Sequence, residues 1–241
     1  MDIDPFTTSS EILPRCNSSV AFLWPAEEEE YRRNRKYLKK YKAGLYINYP
    51  IDYAINTYGY RCDHVIPPDS DYILSAGCSH TFGQALHKEH RYSDLLEEHY
   101  NMPVLNIGRC GGSQNLIKDN LLQLLSSGHR LPKMMTIQWP AEHRLVVGSI
   151  NINVNSDMLK HKIGRKIFDD NSLSYYSKLA HDQTNWLLQT FNIPSVQFRT
   201  YDKTFPTKLH IDNARDLDHP GIESNKLIFE YLKKEIDNYK I

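Results

Sequence analysis

The sequence predicts an α/β domain in which a mostly parallel sheet carries helices on both faces, preceded by an N-terminal helical extension. Two features carry that expectation. From residue 71 onward, short apolar runs bounded by turn residues alternate with segments of helical spacing, which is the pattern of βαβ crossovers. The chain has 241 residues, 40% of them hydrophobic, enough for one sizeable core plus an extension. Residues 1–7, containing Ile3-Asp4-Pro5-Phe6-Thr7, read as a remnant of a cloning vector. Residues 8–70 read as the extension, and 71–241 as the main domain.

Taken in order, residues 26–42 lack Gly and Pro and place Glu27 to Glu30 ahead of Arg32 to Lys42, an order that suits a helix dipole. The expected role is a solvated helix. The same basic cluster, interleaved with Tyr31, Tyr37 and Tyr41, is also compatible with RNA or an acidic partner face. A Tyr-rich extended region follows over 45–60 and is closed by Pro67 and Pro68. The first strand of the domain is 72–76, followed by a helix over 93–100. The second strand is 103–107, followed by a helix over 115–125 with Leu116, Ile117, Leu121, Leu122, Leu124 and Leu125 on one face. The third is 133–139, followed by a helix over 174–191 with Leu179, Trp186, Leu187 and Leu188. The fourth strand is 193–198, and the last helix spans 222–236.

Composition narrows the function. Lys plus Arg equals Asp plus Glu at 29 each, so no overall field favours nucleic acid or a membrane surface. No apolar run approaches the roughly 18 residues that would span a bilayer. The start of the chain lacks the basic and apolar regions of a secretory signal. The expected location is therefore cytoplasmic, or a virion if the chain is viral. Four scattered cysteines, Cys16, Cys62, Cys78 and Cys110, predict reduced thiols. His87 with His90, and Cys62 with His64, lack a matching second pair, so no metal site and no cofactor are expected.

The chemistry is expected at the carboxyl ends of the strands. After the first strand stands Gly77-Cys78-Ser79-His80-Thr81-Phe82-Gly83, a tight strand-to-helix turn that would present a hydroxyl. After the second comes Asn106-Ile107-Gly108-Arg109-Cys110-Gly111-Gly112-Ser113, whose glycines let a backbone N–H approach a bound oxygen. Ahead of the last helix, Asp216-Leu217-Asp218-His219-Pro220-Gly221 places an acid three residues before a His. Ser79, His219 and Asp216 can thus serve as nucleophile, general base and orienting acid, with Asp212 and Asp218 as weaker substitutes for the acid. The nucleophile elbow of α/β-hydrolases fits less well, since Thr81 stands where that elbow has Gly.

These blocks resemble the SGNH, or GDSL-like, hydrolases over roughly residues 73–236. Ser79 in Gly-x-Ser-x-Thr-x-Gly matches that family's first block, and Gly111, five residues after Asn106, matches its second-block oxyanion glycine. Asp216 and His219, followed by Pro220, match its last block. Asn56-Thr57-Tyr58-Gly59-Tyr60-Arg61 is similar to the segment preceding the first block in bacterial and phage relatives. The resemblance implies a flavodoxin-like three-layer α/β/α fold and a serine esterase removing a small acyl group, such as an O-acetyl group on a carbohydrate. It also implies oxyanion donors at Ser79 and Gly111 and no cofactor. Members include O-acyltransferases, so transfer with the same residues stays open. The chain departs from the family twice. Cys78 replaces the first-block Asp, and the third block's oxyanion Asn is absent from Ile137-Gln138-Trp139-Pro140-Ala141-Glu142-His143-Arg144. Gln138 or Arg144 is the candidate replacement, and Gln138, Trp139, Arg144 and His80 are candidate substrate-binding residues. Arg144 also suits a carboxylate or phosphate of the substrate. The missing Asn keeps a second reading open, that of a binding or virion-associated module on the same scaffold.

Overall fold

The computed structural model describes residues 18–21, 25–37, 51–64, 69–142, 144–147, 150–153, 170–200 and 208–241. In chain order they form β1 (Ser18–Val20), α1 (Pro25–Asn34), β2 (Tyr53–Ile55), β3 (Ile73–Ala76), α2 (Ser79–Phe82), α3 (Tyr92–Tyr100), β4 (Val104–Asn106), α4 (Gln114–Ser127), β5 (Met134–Gln138), β6 (Arg144–Val147), β7 (Ile150–Asn153), α5 (Asp170–Thr190), β8 (Ser195–Phe198) and α6 (Ile222–Asp237). The chain is α/β. Four strands form a parallel sheet in the order β4-β3-β5-β8, with Ile73 opposite both Val104 and Met134, and Met135 opposite Ser195.

Both faces of this sheet are buried, and strand alternation assigns each side chain to one of them. Leu74, Leu105, Met135 and Ile137 point toward Ile117, Leu121 and Leu124 of α4 and Leu187 and Leu188 of α5. Their neighbours Ile73, Val104, Met134 and Val196 pack with Tyr92 and Leu96 of α3 and Ile228, Leu232 and Ile236 of α6. Helix pairs therefore cover the two faces as three layers, with α4 against α5 and α3 against α6. A Ser113 side chain caps α4 by accepting from the Leu116 N–H at 3.3 Å.

Several expectations need correction. The helix expected over 26–42 ends as an α-helix at Asn34 and tightens to a 3-10 turn at Arg35–Tyr37; residues 38–42 lie outside the described residues. That helix is not merely a solvated one, because Glu27 is buried. Leu179 and Trp186 of α5 face outward, Trp186 at 63% exposure, while Leu187 and Leu188 hold the core; Leu122 of α4 is likewise exposed. Two antiparallel pairs lie outside the expected pattern, β1 with β2 and β6 with β7.

Residues 51–61 pack beside the serine turn. Ile51, Tyr53 and Ile55 cluster with Phe82 and Leu86. Arg61 is buried and donates through Nη1 to the Gly83 and Leu86 carbonyls at 2.7 and 2.8 Å, and through Nη2 to Asp52 O at 2.9 Å. Asn56 fixes the preceding turn, its Oδ1 accepting from the Tyr58 and Tyr60 N–H groups at 3.0 Å.

Candidate active site

The chain leaves β3 for β4 on one side and later returns to β5 on the other. The crevice at the carboxyl ends of β3 and β5 is thus a topological switch point, where ligands of such sheets bind. Gly77 and Cys78 leave β3 here, and Ser79 begins α2. The turn is tight. A Cβ on Gly77 would collide with Thr81 Oγ1 and come within 2.9 Å of Gln138 O. One on Gly108 would collide with Phe82 N and reach 2.7 Å from the Thr81 backbone, so only Gly lets the loop after β4 approach α2 this closely.

Asn106 locks these two loops together. Its Nδ2 donates to Thr81 O at 2.7 Å and Ser93 Oγ at 2.8 Å, and its Oδ1 accepts from Gly108 N at 2.9 Å. Beyond it, Arg109 N donates to Gly77 O at 3.2 Å and Gly112 N to Arg109 O at 2.8 Å. Gly111 sits in this docked turn at φ 71°, and a Cβ there would meet nothing within 4 Å.

The third contribution comes from the segment ahead of α6. Ala214 N donates to His219 O at 2.8 Å, closing a turn in which Leu217 adopts a left-handed φ of 64°. Such a conformation in a non-Gly residue costs on the order of 1 kcal/mol or more and persists because the surroundings impose it. Asp216 Oδ1 accepts from the Asp218 and His219 N–H groups at 3.1 and 3.0 Å. Its Oδ2 lies 2.6 Å from His219 Nδ1, and His219 Nε2 lies 2.8 Å from Ser79 Oγ. An ionised carboxylate can only accept, so Nδ1 carries the proton and Nε2 is left to accept from the Ser79 hydroxyl.

Electrostatics follow from burial. Burial of His219 opposes its charge, but the hydrogen bond and charge of Asp216 outweigh it and raise the imidazole above its ordinary range. Burial pushes Asp216 the other way, and His219 with two backbone N–H groups outweighs it, lowering the carboxyl below its usual value. His80 stacks edge-on to His219 with ring centroids 5.4 Å apart. Burial first, then the charges of His219 and Arg144, hold His80 well below the ordinary imidazole range and so neutral. Its Nδ1 sits 2.9 Å from Thr200 Oγ1.

Beside the serine turn opens a cavity of about 390 Å³, whose walls include Cys78, His80, Gln138, Trp139, Arg144 and Arg199. Gln138 is already engaged: its Oε1 accepts from Cys78 Sγ at 3.0 Å, and its Nε2 donates to Trp139 O and Thr200 Oγ1, both at 3.1 Å. No amide hydrogen of Gln138 is left for an oxyanion. Trp139 is buried, with its indole N–H on Gln197 Oε1 at 3.0 Å and its ring against His181. The structure therefore brings Ser79, Asp216 and His219 into one chain and places His80, Gln138, Trp139 and Arg144 around the adjacent cavity. Sequence reasoning missed Arg199 and Thr200, although they directly follow β8 and the strand-end rule points to them. Among the described residues, no group of three or more His, Cys, Asp or Glu side chains could hold a metal, and no helix is long and apolar enough to cross a membrane. Cys62, Cys78 and Cys110 are buried and form no disulfide among the described residues.

No protein-family model and no curated protein matches the chain. Matches among solved structures include a family two carbohydrate esterase from Clostridium thermocellum in complex with cellohexaose, at 14% identity over 73% of this chain, with a TM-score of 0.37. The chain spans 66% of that protein's length. The esterase EstA from Pseudoalteromonas sp. is 16% identical over 70% of this chain and 98% of its own, with a TM-score of 0.40. A member of the lipolytic protein G-D-S-L family from Veillonella parvula is 12% identical over 68% of this chain and 97% of its own, with a TM-score of 0.36.

Proposed function

We propose that this chain is a serine hydrolase of the SGNH kind that removes a small acyl group from an ester, with a carbohydrate O-acetyl group as the substrate class. One observation carries the reading: the continuous hydrogen-bonded chain from Asp216 through His219 to Ser79, with its two links at 2.6 and 2.8 Å. Ser79 Oγ attacks the acyl carbonyl as His219 Nε2 takes its proton. His219 then returns that proton to the leaving alcohol oxygen, and the same base activates a water to release the acyl group. Asp216 holds the tautomer and stabilises the transient imidazolium. The Ser79 and Gly111 amides are the donors for the oxyanion. Gln138 is bonded elsewhere, and a reaction that runs on the two backbone donors alone is slower by about 10²- to 10³-fold than one with a third donor.

His80, Gln138, Thr200 and the two arginines place polar groups among the apolar walls of the cavity, which offers hydrogen-bond partners to a hydroxylated alcohol. The test is hydrolysis of 4-nitrophenyl acetate by the wild type, Ser79→Ala and His219→Ala. Turnover that falls at least 10³-fold in both variants supports the reading. A folded wild type with no turnover above either variant overturns it, and directs attention to the scaffold as a binding module.

A further inference from the structure

Arg144 is the first residue of β6, at the edge of the cavity beside the serine turn. Its Nε and Nη1 are buried and have no hydrogen-bond partner among the described residues. A guanidinium keeps its charge at every accessible pH, and withdrawing it from water without an acceptor is unfavourable. Arg199 stands on another wall, held at 3.7 Å by Glu142, whose side chain is half exposed. With His80 neutral, the described residues lining the cavity set two arginines against one glutamate, an excess of one positive charge among them. Arg144 shares the cavity with His80 and Cys78, the residues on either side of Ser79, and His80 packs against His219 at 5.4 Å between centroids, so a group held by Arg144 lies in the cavity that adjoins the nucleophile. A volume of about 390 Å³ falls in the range of small-ligand sites, roughly 300–1,000 Å³.

We propose that this cavity is an oxyanion subsite in which Arg144, seconded by Arg199, binds a carboxylate or phosphate carried by the ester that Ser79 attacks. The proposal rests on the hydrolase reading above and deepens it: the substrate is an acidic ester, such as an acylated acidic sugar, and not a neutral one. An anion seated here supplies the acceptor that the buried guanidinium nitrogens lack, and a charge-assisted hydrogen bond of that kind is among the stronger ones.

The test compares three acetate esters that release the same acyl group: 4-acetoxybenzoate, 4-acetoxyphenyl phosphate and the neutral methyl 4-acetoxybenzoate. The readout is the ratio of kcat/KM for each anionic ester to that for the neutral one, in the wild type, Arg144→Met and Arg199→Met. The expected result is a ratio that falls about 10- to 100-fold in Arg144→Met, and less in Arg199→Met. A fall with the benzoate alone assigns a carboxylate, and one with the phosphate alone assigns a phosphoryl group. Equal ratios in wild type and Arg144→Met overturn the proposal. Should Arg144→Met not fold, protection of wild-type Ser79 from fluorophosphonate labelling decides the matter. Benzoate or phenyl phosphate is expected to protect at concentrations at least tenfold below methyl benzoate, and equal protection overturns the subsite. A wild type that is never labelled overturns the hydrolase reading itself, whereas normal labelling without charge preference overturns the subsite alone.

Discussion

Replacing Glu27 with Ala removes one partner of a buried ion pair that ties the N-terminal helix to the His219 loop. Glu27 and Arg215 each retain 2% exposure, and Arg215 Nη2 donates to Glu27 Oε1 at 2.8 Å. The same Oε1 accepts from Tyr53 OH at 2.6 Å, and Tyr53 OH accepts from Ala85 N at 2.7 Å. Arg215 N in turn donates to Ala85 O at 3.0 Å. One carboxylate therefore supports α1, β2, the loop after the serine helix and the residue before Asp216. Truncating it takes the carboxylate from a guanidinium that keeps its Ala21 carbonyl contact at 2.9 Å and its places over the Tyr31 and Tyr53 rings, and breaking a buried pair in this way costs about 3–5 kcal/mol. For a chain of this size each kcal/mol lowers Tm by about 2–4 °C, so the expected fall is roughly 6–20 °C. Thermal unfolding followed by circular dichroism measures the fall in Tm and urea unfolding the loss in free energy, with Glu27→Met/Arg215→Met as the control. The double variant removes both charges and is expected to recover more than half of the loss. A loss below about 1 kcal/mol in Glu27→Ala, or a double variant as unstable as the single, refutes the reasoning.

Two further outcomes follow from the site. Because Asp216 raises the His219 pKa and the base must be neutral to accept a proton, kcat/KM should fall as pH drops through a midpoint above the ordinary imidazole value of about 6.5. In Asp216→Asn the midpoint should move down and kcat fall about 10³- to 10⁴-fold; a pH–rate profile with an unmoved acid limb contradicts the assigned role. Gly108→Ala would drive a methyl group into the Phe82 and Thr81 backbone. An expected loss of about 1–3 kcal/mol, with a lower kcat from a displaced Ser79, is checked by denaturation and turnover on the same preparation; unchanged values contradict the close approach.

The sheet was legible because β3, β4 and β5 are short runs with both faces buried, and because the Gly-rich turns and the Asp-x-x-His segment fall at strand ends. The antiparallel β6–β7 pair lies outside the expectation although Gly148-Ser149 between Leu145-Val146-Val147 and Ile150-Asn151-Ile152 is a short-range hairpin signal in the sequence. Outward Trp186 and buried Glu27 were not legible for a different reason. Helical spacing cannot say which side of a mixed face meets the sheet, and Glu27 finds its partner 188 positions away in Arg215. Within the run Glu27 to Glu30, only tertiary packing separates the buried carboxylate from its solvated neighbours.

The central claim is that Ser79 is a nucleophile activated by His219. Treating the wild type, Ser79→Ala and His219→Ala with a fluorophosphonate, and mapping the adduct by peptide mass spectrometry, tests it most directly. The account predicts one adduct, on Ser79, absent from Ser79→Ala and strongly slowed in His219→Ala. An unlabelled wild type, or an adduct on another residue that survives Ser79→Ala, would contradict it.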